Sequence, residues 1–184
     1  MRSRKLNYCK CGIICHGLSE QQIAEYIRSN LHLKIEIISK NNGHSSIQIT
    51  SLMSFLSARQ FLNIRHFSEE YGVEIQKKEL VDFKLFIIMD TDDCTEEEKK
   101  AFIDKSMFRK HWLCDYIVPI TNIPNLEEVM VKSGFMVKKI KDGDKGSYYL
   151  KTFPINTEPR SLDSLNEIKD FGEKMRRTKN TNIE

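Results

Sequence analysis

Residues that break or staple a fold are scarce in this chain. Only 8 Gly and 4 Pro are spread over 184 residues, which excludes a collagen-like chain or a Gly/Pro-rich low-complexity chain. No stretch of about 18 apolar residues occurs, so no membrane-spanning helix and no membrane partner are expected. The N-terminus lacks the apolar core of a secretory signal peptide, and a cytoplasmic location is the expectation. Neither sign of charge dominates: 29 Lys and Arg stand against 26 Asp and Glu, and the resulting +3 is by itself no nucleic-acid signature. The 5 cysteines are an odd number without an export signal, which favours reduced thiols over a disulfide framework.

What is present is the composition of a folded protein, 40% hydrophobic and 30% charged, at the length of one domain. We expect a basic segment at 1–9, an α/β domain at 10–155, and a C-terminal helix with a frayed basic tail at 156–184. Charge is unevenly placed. Arg2, Arg4, Lys5 and Lys10 open the chain without an acid, and Lys132, Lys138, Lys139, Lys141, Lys145 and Lys151 outnumber Asp142 and Asp144. Between Asp90 and Glu98, by contrast, 6 acids fall close together.

The apolar run Cys11 to Cys15 reads as a buried strand, closed by a His16-Gly17 turn. Ser19 is the expected N-cap of a helix over about Glu20 to Asn30, and Leu33 to Ser39 alternates as a strand does. After the turn residues Asn41 to Ser45, the spacing from Ile47 to Leu62 predicts one long helix ending near Tyr71-Gly72. Lys84 to Met89 is the strongest strand, and its unbroken apolar run implies cover on both faces. Thr95 with Glu98 forms a capping box for a helix to roughly Lys105. Asp115 to Ile120 reads as a strand placed at an edge by Pro119, and Asn125 with Glu128 caps a helix that Gly134 stops. A loop with a short strand is expected over Lys141 to Lys151, and a last amphipathic helix over Asp163 to Arg177. Strands alternating with helices indicate a Rossmann-like α/β domain, with a mainly parallel central sheet flanked by helices. Active groups then gather at the carboxyl ends of the strands, which points to the turn after Cys15 and the acids after Met89.

Asp90 and Asp92, with Asp93, meet solvent at the end of a buried strand, an arrangement of oxygens suited to a hard cation such as Mg²⁺. Helix electrostatics offers another account of Asp93 and of Glu96 to Glu98, which sit near a helix N-terminus, but Asp90 precedes that helix. Gly17 and Glu20 fit a tight turn and a helix dipole as well as a site. Cys9, Cys11, Cys15 and His16 are possible zinc ligands, although Cys15 lies in an apolar strand and the spacing matches no standard zinc knuckle. Gly43 to Ser46 opens a helix without the Lys and glycine spacing of a Walker loop, so capping by Ser45 or Ser46 is expected there. Lys145 and Lys151 flank Gly146 to Tyr149, where positive charge would neutralise phosphates or simply face solvent. Trp112, Tyr148 and Tyr149 are read as packing residues rather than base-stacking ones, and Phe55, Phe61, Phe67, Phe83 and Phe86 as core.

Taken in order, IICHGLSE and LFIIMDTDD resemble the TOPRIM domain of topoisomerases, primases and several nucleases, in which a first strand ends in Glu-Gly and a later one in Asp-x-Asp. The likeness covers roughly residues 10 to 135 and is nearest to small standalone members resembling RloB and to the nuclease domains of OLD-type proteins, which are associated with phage defence. Asn122 to Glu127 loosely resembles an Asn-Pro-x-x-Glu segment of those proteins.

The resemblance implies a single TOPRIM-like domain and hydrolysis of DNA or RNA with Mg²⁺ or Mn²⁺. It further implies Glu20, Asp90, Asp92, Asp93 and Glu127 about the metal, and a C-terminal lysine, Lys145 or Lys151, at the transition state. Nucleic acid is the implied partner, and the resemblance allows for a partner ATPase or another defence protein, and for a homodimer. His16 replaces the family's glutamate. It leaves open a shifted metal preference, proton exchange near neutral pH, a purely structural role, or a degenerate module that binds nucleic acid or a partner protein without catalysis. An Asp-x-Asp after a hydrophobic strand also occurs in haloacid-dehalogenase-like phosphatases. Those normally begin with that strand, whereas here it lies mid-chain with Cys94 in the fourth place.

Overall fold

Two apolar runs build the centre of the molecule. Strand β1 (Cys11–Cys15) is buried at every position, and strand β5 (Lys84–Asp90) at every position but its first. Strands with no polar face need cover on both sides, which a parallel sheet between two helix layers provides. In the computed structural model, which describes residues 8–31, 34–133 and 148, these two strands pair in parallel with Cys11 opposite Lys84. Strand β2 (Ile35–Ile38) adds beside β1 and strand β6 (Ile117–Asn122) beside β5, completing a four-stranded parallel sheet in the order β2-β1-β5-β6. Pro119 sits in β6, an edge strand, where a missing backbone donor is tolerated.

Alternation along the strands divides the core into two layers. Ile13, Cys15, Phe86 and Ile88 pack with Ile23, Ala24 and Ile27 of helix α1 (Leu18–Leu31) and with Leu126 and Met130 of helix α5 (Leu126–Lys132). Ile14, Leu85, Ile87 and Met89 point the other way, toward Leu52 of helix α2 (Ile49–Leu56), Phe67 of helix α3 (Ile64–Tyr71) and Phe102 of helix α4 (Glu96–Ile103). Each such side chain, fully buried, contributes about 1.5–3 kcal/mol. Trp112 belongs to this second layer, donating its indole N–H to the Phe61 carbonyl at 2.7 Å.

The chain passes from β1 to β2 on one side, then returns as β5 on the other side of β1. Winding therefore reverses direction between β1 and β5. Right-handed crossovers in opposite directions put α1 and α4 on opposite faces, as observed. The carboxyl ends of β1 and β5 flank this reversal, the place where open α/β sheets bind ligands.

Several local expectations give way to tertiary context. The long helix predicted from Ile47 to Tyr71 is two helices, α2 and α3, joined by a 3-10 turn at Arg59–Phe61. Phe61 is buried inside that turn, so the apolar spacing runs on while the helix does not. Asn63 then caps α3, accepting from the Arg65 and His66 amides at 3.0 Å each. Helix α1 begins at Leu18, so Ser19 lies within it and is not its N-cap. The cap of α2 is Gln48 rather than Ser45 or Ser46. A hairpin of β3 (Ile75–Gln76) and β4 (Glu79–Leu80) escaped the sequence reading because its turn is Lys77-Lys78, at φ 50° and 69°, with no glycine or asparagine to announce it. The capping box of Thr95 and Glu98 forms in both directions. The loop and strand expected over Lys141 to Lys151, the stop at Gly134 and the helix over Asp163 to Arg177 lie outside the described residues, Tyr148 excepted.

Candidate functional site

His16 follows β1 directly and is anchored at its backbone from two sides. Its amide donates to the Ile88 carbonyl at 3.0 Å and its carbonyl accepts from the Ile47 amide at 2.8 Å. One residue on, the Gly17 amide donates to Glu20 Oε2 at 3.1 Å, so a carboxylate in the first turn of α1 folds back to cap its own helix. A side chain at Gly17 would meet only ordinary contacts, the nearest at 3.7 Å from Glu20 Oε2. Beside the start of α1 the geometry does require a glycine at Gly43, at φ +81°, where a Cβ would stand 2.9 Å from Leu18 Cα.

Asp90 ends β5 and lies opposite Asn122, which ends β6. The Asn122 amide Nδ2 donates to Asp90 Oδ1 at 3.0 Å and reaches Glu20 Oε1 at 3.5 Å. Glu20, Asp90 and Asn122 are 4%, 8% and 0% exposed, and they are the buried polar side chains among the described residues. His16 Nε2 lies 4.0 Å from Asp90 Oδ2. Two polar atoms here are buried without a hydrogen-bond partner, His16 Nδ1 and Asn122 Oδ1. Glu20, Asp90 and His16 thus lie together where β1 and β5 end, and Asn122, named from the sequence only within the Asn122 to Glu127 segment, stands between the two acids.

Burial and charge repulsion set the protonation of this pair. Burial first, and the nearby Asp90 carboxylate second, push the Glu20 carboxyl up to about 8. Burial also raises Asp90, opposed by the Asn122 hydrogen bond and the His16 ring and reinforced by Asp92 and Glu127. Glu127, in the first turn of α5, acts on both acids, which places it at the margin of the same site. Among the described residues no lysine or arginine pairs with Glu20, Asp90 or Asp92.

Asp92 is exposed, and its Oδ2 accepts from Asn125 Nδ2 at 3.1 Å. Asn125 also caps α5 through the Glu128 amide at 3.1 Å, so one side chain ties the Asp-x-Asp turn to the next helix. Between the two aspartates, Thr91 donates its amide to the Pro124 carbonyl at 2.7 Å, which fixes the turn. Asp93 is exposed, and its charge acts on the Cys94 thiol; it accepts no hydrogen bond from the Asn122 amide that joins the two acids. Lys145 and Lys151 lie outside the described residues. Cys9, Cys11 and Cys15 are buried, and burial pushes their thiols up, away from the thiolate that zinc needs.

Among the described residues no group of three or more His, Cys, Asp or Glu side chains is drawn together tightly enough to hold a metal ion. Both Glu20 oxygens are occupied by N–H donors, from Gly17 and from Asn122. The residue types nonetheless suit a hard cation, since two buried carboxylates meet at the Asn122 amide nitrogen. Comparison of the chain with protein-family models, with curated proteins and with solved structures finds no match to any of them.

Proposed function

We propose that this chain is a divalent-cation-dependent phosphodiesterase acting on DNA or RNA, with Mg²⁺ or Mn²⁺ bound where β1 and β5 end. One observation carries the reading: the Glu20 and Asp90 carboxylates share a single amide nitrogen, Asn122 Nδ2, in a buried setting. Two buried carboxylates cannot both ionise without a positive partner. Among the described residues no lysine or arginine supplies one, His16 Nε2 stands 4.0 Å from Asp90 Oδ2, and a bound cation would serve both acids.

Such an ion would supply an activated water and neutralise charge growing on a phosphodiester. Asp90 and Glu20 would hold it from the protein side. Asp92, exposed and held by Asn125, would be open to an arriving phosphate backbone. Glu127 adds negative charge at the rim. The pinned Thr91 turn limits how far Asp92 strays from Asp90. Lys145 and Lys151 complete the reading as phosphate neutralisers, and it agrees in residue types with the TOPRIM resemblance. On that resemblance rest the phage-defence setting and a partner ATPase.

Plasmid DNA and RNA incubated with Mg²⁺ or Mn²⁺, with Asp90→Ala beside the parent, test the proposal. Cleavage by the parent alone is expected. Equal activity in both proteins removes it.

A second reading, a catalytically silent module that binds nucleic acid or a partner protein, is favoured by the engagement of both Glu20 oxygens within the protein and by His16 in place of an acid. Under that reading the parent is inactive with either cation and His16→Glu gains cleavage.

A further inference from the structure

Away from the acids, two segments of the chain carry positive charge and no negative charge. Ser57 to His66 holds Arg59 and Arg65, and Lys105 to Cys114 holds Lys105, Arg109 and Lys110, with no Asp or Glu in either. The fold brings the two segments side by side. His111 accepts the Leu113 amide at Nδ1 (3.2 Å), which leaves Nε2 to donate to the Leu56 carbonyl at 3.3 Å, and the Trp112 indole donates to the Phe61 carbonyl at 2.7 Å. Arg59 lies between those two carbonyls in the chain, and Arg109 and Lys110 directly precede the two donors. Arg59, Arg65, Arg109 and Lys110 are exposed and Lys105 is half-buried. Among the described residues none of the five forms an ion pair. Asp104 borders the patch, with its Oδ1 taken up by the Ser106 amide at 2.8 Å, and Glu69 lies one turn past Arg65 on α3. The carboxyl ends of α2 and α4 add about half a negative charge each, so positive charge stays in excess.

We infer that this face holds the phosphate backbone of a nucleic acid, without reading its sequence and without a metal ion. Cations spread over the ends of several helices suit a repeating polyanion, whereas a single phosphate needs a converging pocket. Three of the five are arginines, whose planar fork matches a phosphate. Leu62 and Ile103, 57% and 48% exposed, are the large apolar side chains open beside them, too little apolar surface for a membrane face. The patch is also remote from the acids. The bond from the Ile47 amide to the His16 carbonyl sets the start of α2 near them, and the helix then runs for 8 residues, about 12 Å, before the patch begins. Binding here therefore neither needs a cation at the acids nor competes with one, and it stands whether or not the chain cleaves.

Fluorescence anisotropy of labelled DNA strands and duplexes of two unrelated sequences, titrated with the full chain in EDTA over a range of salt, tests this surface. The parent is expected to bind both sequences alike, with affinity falling steeply as salt rises. Arg59→Glu with Arg109→Glu should weaken binding at least about tenfold and make the salt slope for duplex shallower by about 2. Arg59→Lys with Arg109→Lys, which keeps the charge, should stay within about threefold of the parent. Lys77→Glu with Lys78→Glu makes the same change of net charge on the β3–β4 hairpin and should leave binding within about twofold. Equal weakening by the two charge reversals overturns the inference, because net charge and not this face would then be at work. So does a parent that binds no DNA in EDTA, which leaves the cleavage assay with Mg²⁺ or Mn²⁺ to decide the phosphodiesterase reading. Phosphatidylserine vesicles bound through the two arginines, with DNA binding untouched by their reversal, overturn it in favour of a membrane. DNA binding that needs the arginines, in a chain that cuts neither plasmid nor RNA, upholds the surface and removes the phosphodiesterase.

Discussion

Asn122 stands opposite Asp90 in the parallel register of β5 and β6, and its amide donates to the Asp90 carboxylate at 3.0 Å. Two neighbouring strands thus end on polar side chains at the same level, where the apolar core gives way to the site. The same amide nitrogen reaches Glu20, 102 positions away in the chain, at 3.5 Å. The junction of three chain segments depends on this one side chain.

Replacing Asn122 therefore has a graded cost. Asn122→Leu removes the shared donor and leaves two buried carboxyl groups short of a hydrogen bond, with an expected loss of about 2 kcal/mol or more. Asn122→Asp is expected to be worse, because a third buried carboxylate adds repulsion to desolvation. Urea denaturation at neutral pH without metal should rank the parent above Asn122→Leu and Asn122→Asp last. Equal midpoints for the parent and Asn122→Asp would show that the amide is not what reconciles the two acids.

A second expectation concerns pH. Glu20 ionises in the unfolded chain near its ordinary 4.5, whereas in the folded protein its carboxyl is raised to about 8. Between those values the folded state keeps a proton that the unfolded state has released. Stability therefore falls as pH rises through that window and is unaffected by Glu20 below it. The raised Asp90 acts in the same direction. Urea midpoints measured from about pH 5 to pH 8 without metal should decline, and Glu20→Gln should flatten the decline. Saturating Mn²⁺ should also flatten it, because the ion displaces the proton.

How far the sequence reveals this site follows from the range of the interactions involved. Asp90 was legible because a buried apolar strand that stops on an acid is conspicuous, and Glu20 because its place near a glycine turn and a helix start carried the resemblance. Parallel pairing of β1 with β5 then brings the two together; the alternation of strands with helices gives a mainly parallel sheet but not which strands are neighbours. Asn122 was named only within the Asn122 to Glu127 segment. Its role comes from its register against Asp90, and the register between two parallel strands joined by a long crossover leaves no local mark. A comparable signal was present, since β6 also ends an apolar run on a polar residue. The break between α2 and α3 was hidden for the opposite reason: Phe61 keeps the apolar period through a turn that is not α-helical.

The two glycines near the site should respond differently to substitution. At Gly43, φ is +81° and a Cβ would lie 2.8 Å from Gln21 Oε1 and 2.9 Å from Leu18 Cα. Gly43→Ala is therefore expected to cost about 1–2 kcal/mol or more and to push the loop away from the start of α1, where Glu20 is set. At Gly17 a Cβ would come no closer than 3.7 Å to Glu20 Oε2, so Gly17→Ala should be much milder. Thermal melts of both variants check the order. If Gly17→Ala proved the more damaging, the turn after β1 would be under a constraint other than contact.

Asp90 and Asp92 offer the sharpest separation of stability from function. Asp90 is buried against a second acid, and its carboxyl is raised first of all by burial. Asp90→Asn removes the charge while keeping an oxygen for the Asn122 amide. In metal-free protein at neutral pH it is expected to leave stability unchanged or raised, and to abolish cleavage. Asp92 is exposed, so Asp92→Asn should shift stability by no more than about 0.5 kcal/mol while reducing cleavage by about a hundredfold. A structural aspartate behaves in the opposite way, since a group retained to stabilise the fold weakens it when its charge is removed. Marked destabilisation by Asp90→Asn, with cleavage intact, would therefore place the acid in the scaffold and the chemistry elsewhere.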